Sequence, residues 1–264
     1  MHDKPPTAPF AKLERAKRQI DDVEARVQAW VKSRPFHIEQ HVNLRDPAEV
    51  IWSYFLYDPP EELSIIVGEA LHNIRTPLDN VLSAIAERNG GSSDGVAFPF
   101  NNSANAFEKH SLPRQRKLLP AGAIEIIVEA KPYPGGNDLL WSMNELNRLD
   151  KHRADLVSFA HQRAFLWTHI MVFNGDALIL GDRAGTHMTV PGYIPSPRPP
   201  RRDNEVEFFT GRPGVHFEIG IEPLVDIEFG RIVALRREPV AAILRRMRDL
   251  SEDLLQKFAR RFFG

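Results

Sequence analysis

The sequence predicts an α+β fold, in which a helical bundle of long helices carries an N-terminal β-hairpin and an antiparallel sheet inserted before the C-terminal helix. Three patterns support this. Four long stretches repeat apolar residues at the three- and four-residue spacing of amphipathic helices. Residues 36–57 are rich in aromatic and β-branched side chains on both sides of a short polar turn, which favours a hairpin. Between residues 164 and 234, strand-like runs alternate with Gly, Asn, Asp and Pro turn signals, as in an antiparallel meander.

The predicted helices are bounded by sequence signals. The first spans residues 8–32 and ends before Pro35. The second spans residues 62–88; it follows Pro59-Pro60 and stops at Asn89-Gly90-Gly91, because proline is tolerated in a first turn and glycine ends helices. The remaining predicted helices lie near 104–110, at 121–130, at 138–158, and from Pro239 to the C-terminus.

These elements divide the chain into three regions that we expect to form one integrated domain. Residues 1–160 are mainly helical, with the hairpin at about 36–57, and residues 161–237 form the antiparallel β region. Residues 238–264 form a C-terminal helix that packs back on the bundle. A lone meander must bury one face against another layer, so we expect the sheet to pack on the helices.

The composition excludes several functions. Lys+Arg 34 against Asp+Glu 35 gives a formal net charge of -1, so no global field draws the chain to nucleic acid or to an anionic membrane. No apolar run approaches the roughly 18 residues of a membrane span, and the N-terminus lacks the apolar core of a secretory signal. Cysteine is absent, which excludes disulfides and thiolate chemistry. We expect a cytoplasmic protein without a membrane partner and, since nucleotide-binding glycine motifs are missing, without a cofactor.

The second predicted helix carries a polar row opposite its apolar stripe. Arg75 and Asp79 are spaced for an i, i+4 ion pair, and Pro77 predicts a kink. The row either borders a site or is the solvent-facing side of an amphipathic helix. Its members are Glu69, His72, Arg75, Thr76 and Asp79.

The fifth predicted helix places Asp150 and Arg153 in the middle of its apolar line. Charged groups in a core-facing stripe are costly unless they are paired and hydrogen-bonded. Asp150 and Arg153 are spaced to pair with each other, or with Asp79 and Arg75 of a neighbouring helix. The pattern indicates either a cleft-lining polar network or an ion-pair cluster that specifies the bundle, whereas His152 falls on the other side of the helix.

Two short motifs carry a family resemblance. Residues 68–80 read GEALHNIRTPLDN, and residues 144–153 read NELNRLDKHR. With these motifs, and in layout over most of residues 8–158, the chain resembles a broad family of bacterial and phage-associated hypothetical proteins, in which a GDxLHNLRSxLDH-like helix is followed by a QPY-like turn and an LNxxDKHR helix. This chain departs from the pattern with Glu69 in place of Asp and Asn80 in place of His. The resemblance implies no particular activity; the residues it singles out are His72, Arg75, Asp79, Asp150, His152 and Arg153.

A HEPN-like ribonuclease in phage defence is the first alternative function. Proteins of that type pair an Arg with a His four to six residues later, often across a homodimer. The corresponding arginine is Arg75, but Asn80 occupies the histidine position and cannot act as a general acid or base near neutral pH. His72 or His152 would have to take that role.

A metal-binding helical bundle is the second alternative. Glu69 and His72 have the i, i+3 spacing found in di-iron carboxylate bundles. The other helix offers Glu145 and Arg148 at the same spacing, which leaves a di-iron set incomplete. A mononuclear site would have to use Glu69, His72 and His152.

Arginines gather in the C-terminal part of the chain and make nucleic acid a candidate partner, because arginine suits phosphate recognition. Acidic residues such as Glu238 and Asp249 interleave with them, so a solvated helix face explains the same pattern. The arginines are Arg198, Arg201 and Arg202 in the proline-rich loop, and Arg236, Arg237, Arg245, Arg246, Arg248, Arg260 and Arg261.

The leading interpretation is a soluble bacterial protein whose Arg/Asp/His polar network, carried on two helices, organises the bundle or a small cleft; whether it is an enzyme stays open. No reaction follows from the sequence.

Overall fold

The computed structural model describes residues 6–42, 50–150 and 238–264, together with residue 235 and short strands between residues 157 and 229. The chain falls into two compact units. Unit 1 comprises Met1–Arg26, Pro60–Val157 and Phe229–Gly264, and unit 2 comprises Val27–Pro59 and Ser158–Glu228.

Unit 1 is built from helices, which the amphipathic patterns locate closely. Helix α1 extends beyond Arg26, so that only its first part belongs to this unit. The bounds are α1 Thr7–Lys32, α2 Glu61–Arg88, α3 Ala104–Ala106, a π-helical turn Phe107–Ser111, α4 Leu112–Arg116, α5 Ala121–Ala130, α6 Asp138–Asp150 and α7 Val240–Phe262.

Helix α2 lies at the centre of the core of unit 1. It packs against α6 and α7, and α7 also packs against α5 and α6. The helix continues through Pro77 and ends at Asn89, where Gly90 adopts the left-handed conformation (φ 80°) and the N–H of Gly91 donates to the carbonyl of Ala86 at 3.0 Å. Its fully buried side chains include Leu63, Leu71, Ile74, Leu78, Leu82 and Ile85.

The predicted α+β fold class is wrong. Of the residues described with their side chains, 71% are helical, and they form six helices (α3, the π turn and α4 counting as one), one lone strand and no sheet. The physical reason is that the helices close this core among themselves: the apolar stripes of α2, α5, α6 and α7 bury one another, so no sheet is needed to cover them.

The strands are described by their backbone and lie almost entirely in unit 2. Strand β2 pairs antiparallel with β1 and β7, and β4 pairs antiparallel with β5, β6 and β8. The bounds are β1 Phe36–Val42, β2 Val50–Leu56, β3 Val157–Phe159, β4 Ala164–Phe173, β5 Leu178–Leu180, β6 Met188–Pro191, β7 Glu205–Gly211, β8 His216–Pro223 and β9 Ile227–Phe229.

The helix predicted at residues 138–158 is too long at its C-terminal end. Helix α6 ends at Asp150, and Val157 already lies in β3, whereas residues 151–156 are outside the described part of the chain. The residues after Leu156 are β-branched or aromatic at alternate positions, which favours a strand over a continued helix.

Candidate functional site

The two motif helices contact each other where Gly68 of α2 meets Asp150 at the end of α6. A Cβ atom placed on Gly68 would lie 2.2 Å from Oδ1 of Asp150 and 2.8 Å from Oδ2. A glycine in a helix interior is unfavourable by roughly 0.5–1 kcal/mol relative to alanine, so close approach by another group is a sufficient reason for it. Gly68 therefore makes room for the Asp150 carboxylate against the backbone of α2.

An open cleft of about 700 Å³ lies beside this contact, within unit 1. Helices α1, α2 and α6 contribute its walls, and most of the lining side chains are polar. The lining residues are Arg15, Gln19, Ser64, Ile65, Gly68, Glu69, His72, Asn73, Asn147 and Asp150.

A chain of hydrogen bonds joins α1 to α2 along the cleft. Nδ2 of Asn73 donates to Oε1 of Gln19 at 2.9 Å, and Nε2 of Gln19 donates to Oε2 of Glu69 at 2.8 Å. Gln19 is only 6% exposed, so its amide is held at both ends and its orientation is fixed by the two partners. Asn73 takes part in these hydrogen bonds only as a donor to Gln19, and its Oδ1 accepts no hydrogen bond from the described part of the protein.

Asn147 of α6 lines the same cleft and carries an unsatisfied polar atom. The residue is 5% exposed, and its Oδ1 is buried with no hydrogen-bond donor among the described residues. A buried acceptor without a partner costs about 1–3 kcal/mol. Unsatisfied atoms of this kind are rare in folded proteins, and they call for an explanation such as a water or a ligand.

His72 occupies the exposed side of α2 and lines the cleft. Its ring lies 3.3 Å from Oγ1 of Thr76, one turn further along the helix. Of the row predicted on α2, Glu69 and His72 thus belong to the cleft, where the structure also brings Asp150.

Arg75 and Asp79 belong to a different cluster. They form the predicted i, i+4 ion pair, and Oδ1 of Asp79 also accepts from the backbone N–H of Phe98 at 2.9 Å. Nε of Arg75 donates to Oδ1 of Asn144 at 3.4 Å, and its guanidinium lies 5.4 Å from the centroid of the Phe100 ring. Burial lowers the pKa of Arg75 below its usual range. Through these contacts Arg75 and Asp79 connect α2 both to the segment that contains Phe98 and Phe100 and to α6.

The predicted pairing of Asp150 with Arg153, or of these two with Asp79 and Arg75, stays a prediction. Asp150 lies against Gly68 at the cleft, and the partner that Arg75 finds on α6 is Asn144. His152 and Arg153 lie outside the described residues.

A metal site has no complete ligand set in the described part of the chain, where no group of three or more His, Asp or Glu side chains is arranged to hold an ion. Glu69 and His72 line the cleft, and His152, the third candidate ligand, lies outside the described residues.

The C-terminal arginines that the structure describes are largely paired with carboxylates. Arg246 contacts Glu238 at 2.7 Å, and Arg248 contacts Asp249. The hydrogen bond from Arg245 lowers the pKa of Glu24 below its usual value. These pairs give α7 a mixed-charge face. Arg198, Arg201, Arg202, Arg236 and Arg237 lie outside the described residues.

Sequence reasoning missed seven of the ten lining residues of the cleft: Arg15, Gln19, Ser64, Ile65, Gly68, Asn73 and Asn147. Two signals were available. Gln19 stands next to the apolar stripe of α1, between Ala16 and Ile20, and Gly68 interrupts a long helix without ending it.

The comparisons with known proteins add no relative: no family model, no curated protein and no solved structure matches the chain. The family resemblance of the two motifs therefore stays a prediction. Within the described residues, no helix combines the length and the apolar character needed to cross a membrane.

Proposed function

We propose that unit 1 is a binding domain that takes up a small polar molecule in the cleft between α1, α2 and α6. The observation that carries the proposal is Asn147, a lining residue of the cleft whose buried Oδ1 has no hydrogen-bond donor among the described residues, beside amides that are held in fixed orientations. A ligand that donates a hydrogen bond to this oxygen would remove the free-energy cost of leaving it unpaired.

The volume of the cleft supports this function. Sites for small molecules have volumes of roughly 300–1,000 Å³. The cleft has about 700 Å³, and Ile65, which is 61% exposed, supplies an apolar patch beside the polar groups.

The second part of the proposal is structural. The Arg75–Asp79 cluster and the Gly68–Asp150 contact hold α2 and α6 in the arrangement that forms the cleft. This develops the interpretation of a polar network that organises the bundle, and it requires no catalytic step. A bacterial, cytoplasmic setting, expected from the sequence, belongs to the same proposal.

The HEPN-like ribonuclease stays a prediction from sequence, and no feature of the described residues favours it. Arg75 would be its essential arginine, but this guanidinium is engaged by Asp79, Asn144 and the ring of Phe100. The metal-binding alternative likewise has no further support.

Thermal unfolding in the presence of small molecules tests the binding function. The probes are a cation (agmatine), an anion (glutarate) and a neutral amide (pentanamide). A ligand present at about ten times its Kd adds about 1.4 kcal/mol of stability, which raises Tm by about 3–6 °C in a protein of this size.

The matched variants are Ile65→Trp, which fills the cleft, and Val128→Trp, which adds the same bulk at another exposed apolar position on α5. We expect at least one probe to raise the Tm of the wild type and of Val128→Trp, and to leave Ile65→Trp unchanged. The proposal is wrong if no probe stabilises the wild type, or if Ile65→Trp responds as the wild type does.

A further inference from the structure

We propose that residues 107–117, which comprise the π-helical turn, α4 and the residue that ends α4, form a docking surface for the phosphate backbone of double-stranded DNA. This basic segment is separate from the small-molecule cleft, because none of its residues lines that cleft. Its exposed side carries cations that have no ionic partner, and it exposes no aromatic or large apolar side chain.

The basic segment has a buried side and an exposed side. Phe107, Leu112 and Gln115 are buried and attach the segment to unit 1. At a rise of about 1.5 Å per residue, Lys109 and Lys117 lie roughly 12 Å apart along the segment. The exposed residues are Glu108, Lys109, His110, Pro113, Arg114, Arg116 and Lys117, which include four cations and one carboxylate.

The four cations of the basic segment form no ion pair within the part of the chain that the structure describes. The carboxylates of α5, the helix against which α4 packs, are engaged by other residues: Glu125 pairs with Arg261, and Glu129 pairs with Lys257. The segment differs in this respect from α7, most of whose arginines contact a carboxylate. These paired arginines are Arg245, Arg246, Arg248 and Arg261.

Two further carboxylates lie near these cations and reduce the local charge. Glu108 belongs to the segment, and Asp94 precedes Gly95, where a Cβ atom would lie 2.9 Å from Nη2 of Arg114. Four cations against two carboxylates leave an excess of two positive charges, in a chain whose formal net charge is -1. The attraction for a polyanion is therefore confined to this part of the surface.

The spacing and the kind of the exposed side chains fit duplex DNA. One strand of the duplex carries a phosphate about every 3.4 Å of helix axis, so roughly 12 Å corresponds to three or four phosphates, about one for each cation. Lysine and arginine bind phosphates without reading the bases. Proteins hold single strands by stacking the bases on aromatic side chains, and membrane surfaces by inserting apolar ones. The basic segment exposes no Phe, Tyr, Trp or large aliphatic residue, which favours the duplex.

Fluorescence anisotropy of a labelled DNA duplex of about 20 base pairs, titrated with the full-length protein at about 50 mM NaCl, tests the proposal. We expect saturable binding with a Kd of about 1–100 µM, the range of sequence-independent contacts. The logarithm of the association constant should fall with the logarithm of the salt concentration with a slope of about -3 to -4, because each of four phosphates contributes about -0.9. A single strand of the same length and a polyglutamate of the same charge should bind at least about fivefold more weakly.

A double substitution in the basic segment and a matched control locate the surface. Arg116→Gln with Lys117→Gln removes two adjacent exposed cations, and Lys17→Gln with Arg18→Gln removes the same two residue types from the exposed side of α1. Both changes lower the net charge equally. We expect the first to weaken duplex binding at least about tenfold and to reduce the salt slope by about 2, and the control to keep the Kd within about twofold. Circular dichroism checks that both variants fold.

Three results would overturn the proposal. The first is the absence of saturable duplex binding. The second is equal weakening by the two double substitutions, because an equal response depends on net charge and not on the basic segment. The third is binding of the single strand or of polyglutamate as tight as that of the duplex, which would show that the segment does not select a duplex phosphate backbone.

Discussion

The contact between Gly68 and Asp150 gives the sharpest test of how α2 and α6 meet. Gly68→Ala places a methyl carbon where the Asp150 carboxylate lies, 2.2 Å from Oδ1. Overpacking costs about 1–3 kcal/mol, and the lower end applies here because the methyl meets the carboxylate end of a side chain that can turn away. Alanine in a helix interior returns about 0.5–1 kcal/mol, so we expect Gly68→Ala to leave the free energy of unfolding unchanged or to lower it by up to about 0.5 kcal/mol.

The same substitution should stabilise the protein once the carboxylate is gone. In an Asp150→Ala background the added methyl meets no obstacle, so Gly68→Ala should raise the free energy of unfolding by about 0.5–1 kcal/mol. Urea unfolding of the wild type, both single variants and the double variant, followed by the helical circular dichroism signal, measures this cycle. Equal effects of Gly68→Ala in the two backgrounds, within about 0.5 kcal/mol, would refute the close contact.

Three further substitutions, measured by the same urea unfolding, test the Arg75 cluster, the unsatisfied oxygen of Asn147 and the left-handed residue at the end of α5. Arg75→Ala leaves the part-buried carboxylate of Asp79 without its cation and should lower the free energy of unfolding by about 1–3 kcal/mol. The control Arg148→Ala, on the exposed side of α6, should have no measurable effect. Equal effects of the two substitutions would contradict a stabilising role of the Arg75 cluster. Asn147→Leu replaces an amide whose oxygen is unsatisfied by an apolar group of similar shape. It should therefore leave the free energy of unfolding unchanged or raise it by up to about 1 kcal/mol. A decrease larger than about 1 kcal/mol would show that Oδ1 has a partner in the free protein. Lys131 ends α5 in the left-handed conformation (φ 48°), which glycine adopts without steric cost. Lys131→Gly should therefore raise the free energy of unfolding by about 0.5–1 kcal/mol, whereas Lys117→Gly, at φ -80°, should not. An increase at both positions would show that the left-handed backbone of Lys131 is not the cause.

Much of the helical structure could be predicted because local signals determine it. The helix predicted at 121–130 coincides with α5, and α2 begins within one residue of its predicted start, after Pro59-Pro60. The fold class could not be predicted from such signals. Aromatic and β-branched residues predict extended backbone, but whether strands cover the helices depends on how the helices bury one another, which is a property of the packed core.

The candidate site was predicted only in part, because side chains that share one face of a helix can contact different neighbouring elements. Glu69 and Asp79 are ten positions apart, which is about 15 Å along the helix, and the neighbours of α2 change over that distance. Glu69 contacts Gln19 of α1, whereas Asp79 contacts the backbone of Phe98. Asn147 lies within the second motif, but the motif does not show that its Oδ1 is unsatisfied, because an unsatisfied acceptor becomes visible only when its surroundings are known.

The central claim is that the cleft between α1, α2 and α6 binds a small polar ligand through its amide groups. The most direct measurement is the two-dimensional NMR spectrum of the side-chain NH₂ groups during titration with whichever of agmatine, glutarate and pentanamide raises the Tm of the protein most. We expect the signals of Asn147 and Asn73 to shift with the same saturation curve. The signal of Asn101 should stay in place, because Asn101 does not line the cleft and its NH₂ group donates to Oγ of Ser111 at 2.6 Å. Saturation without shifts at Asn147 and Asn73, or an equal shift at Asn101, would contradict it.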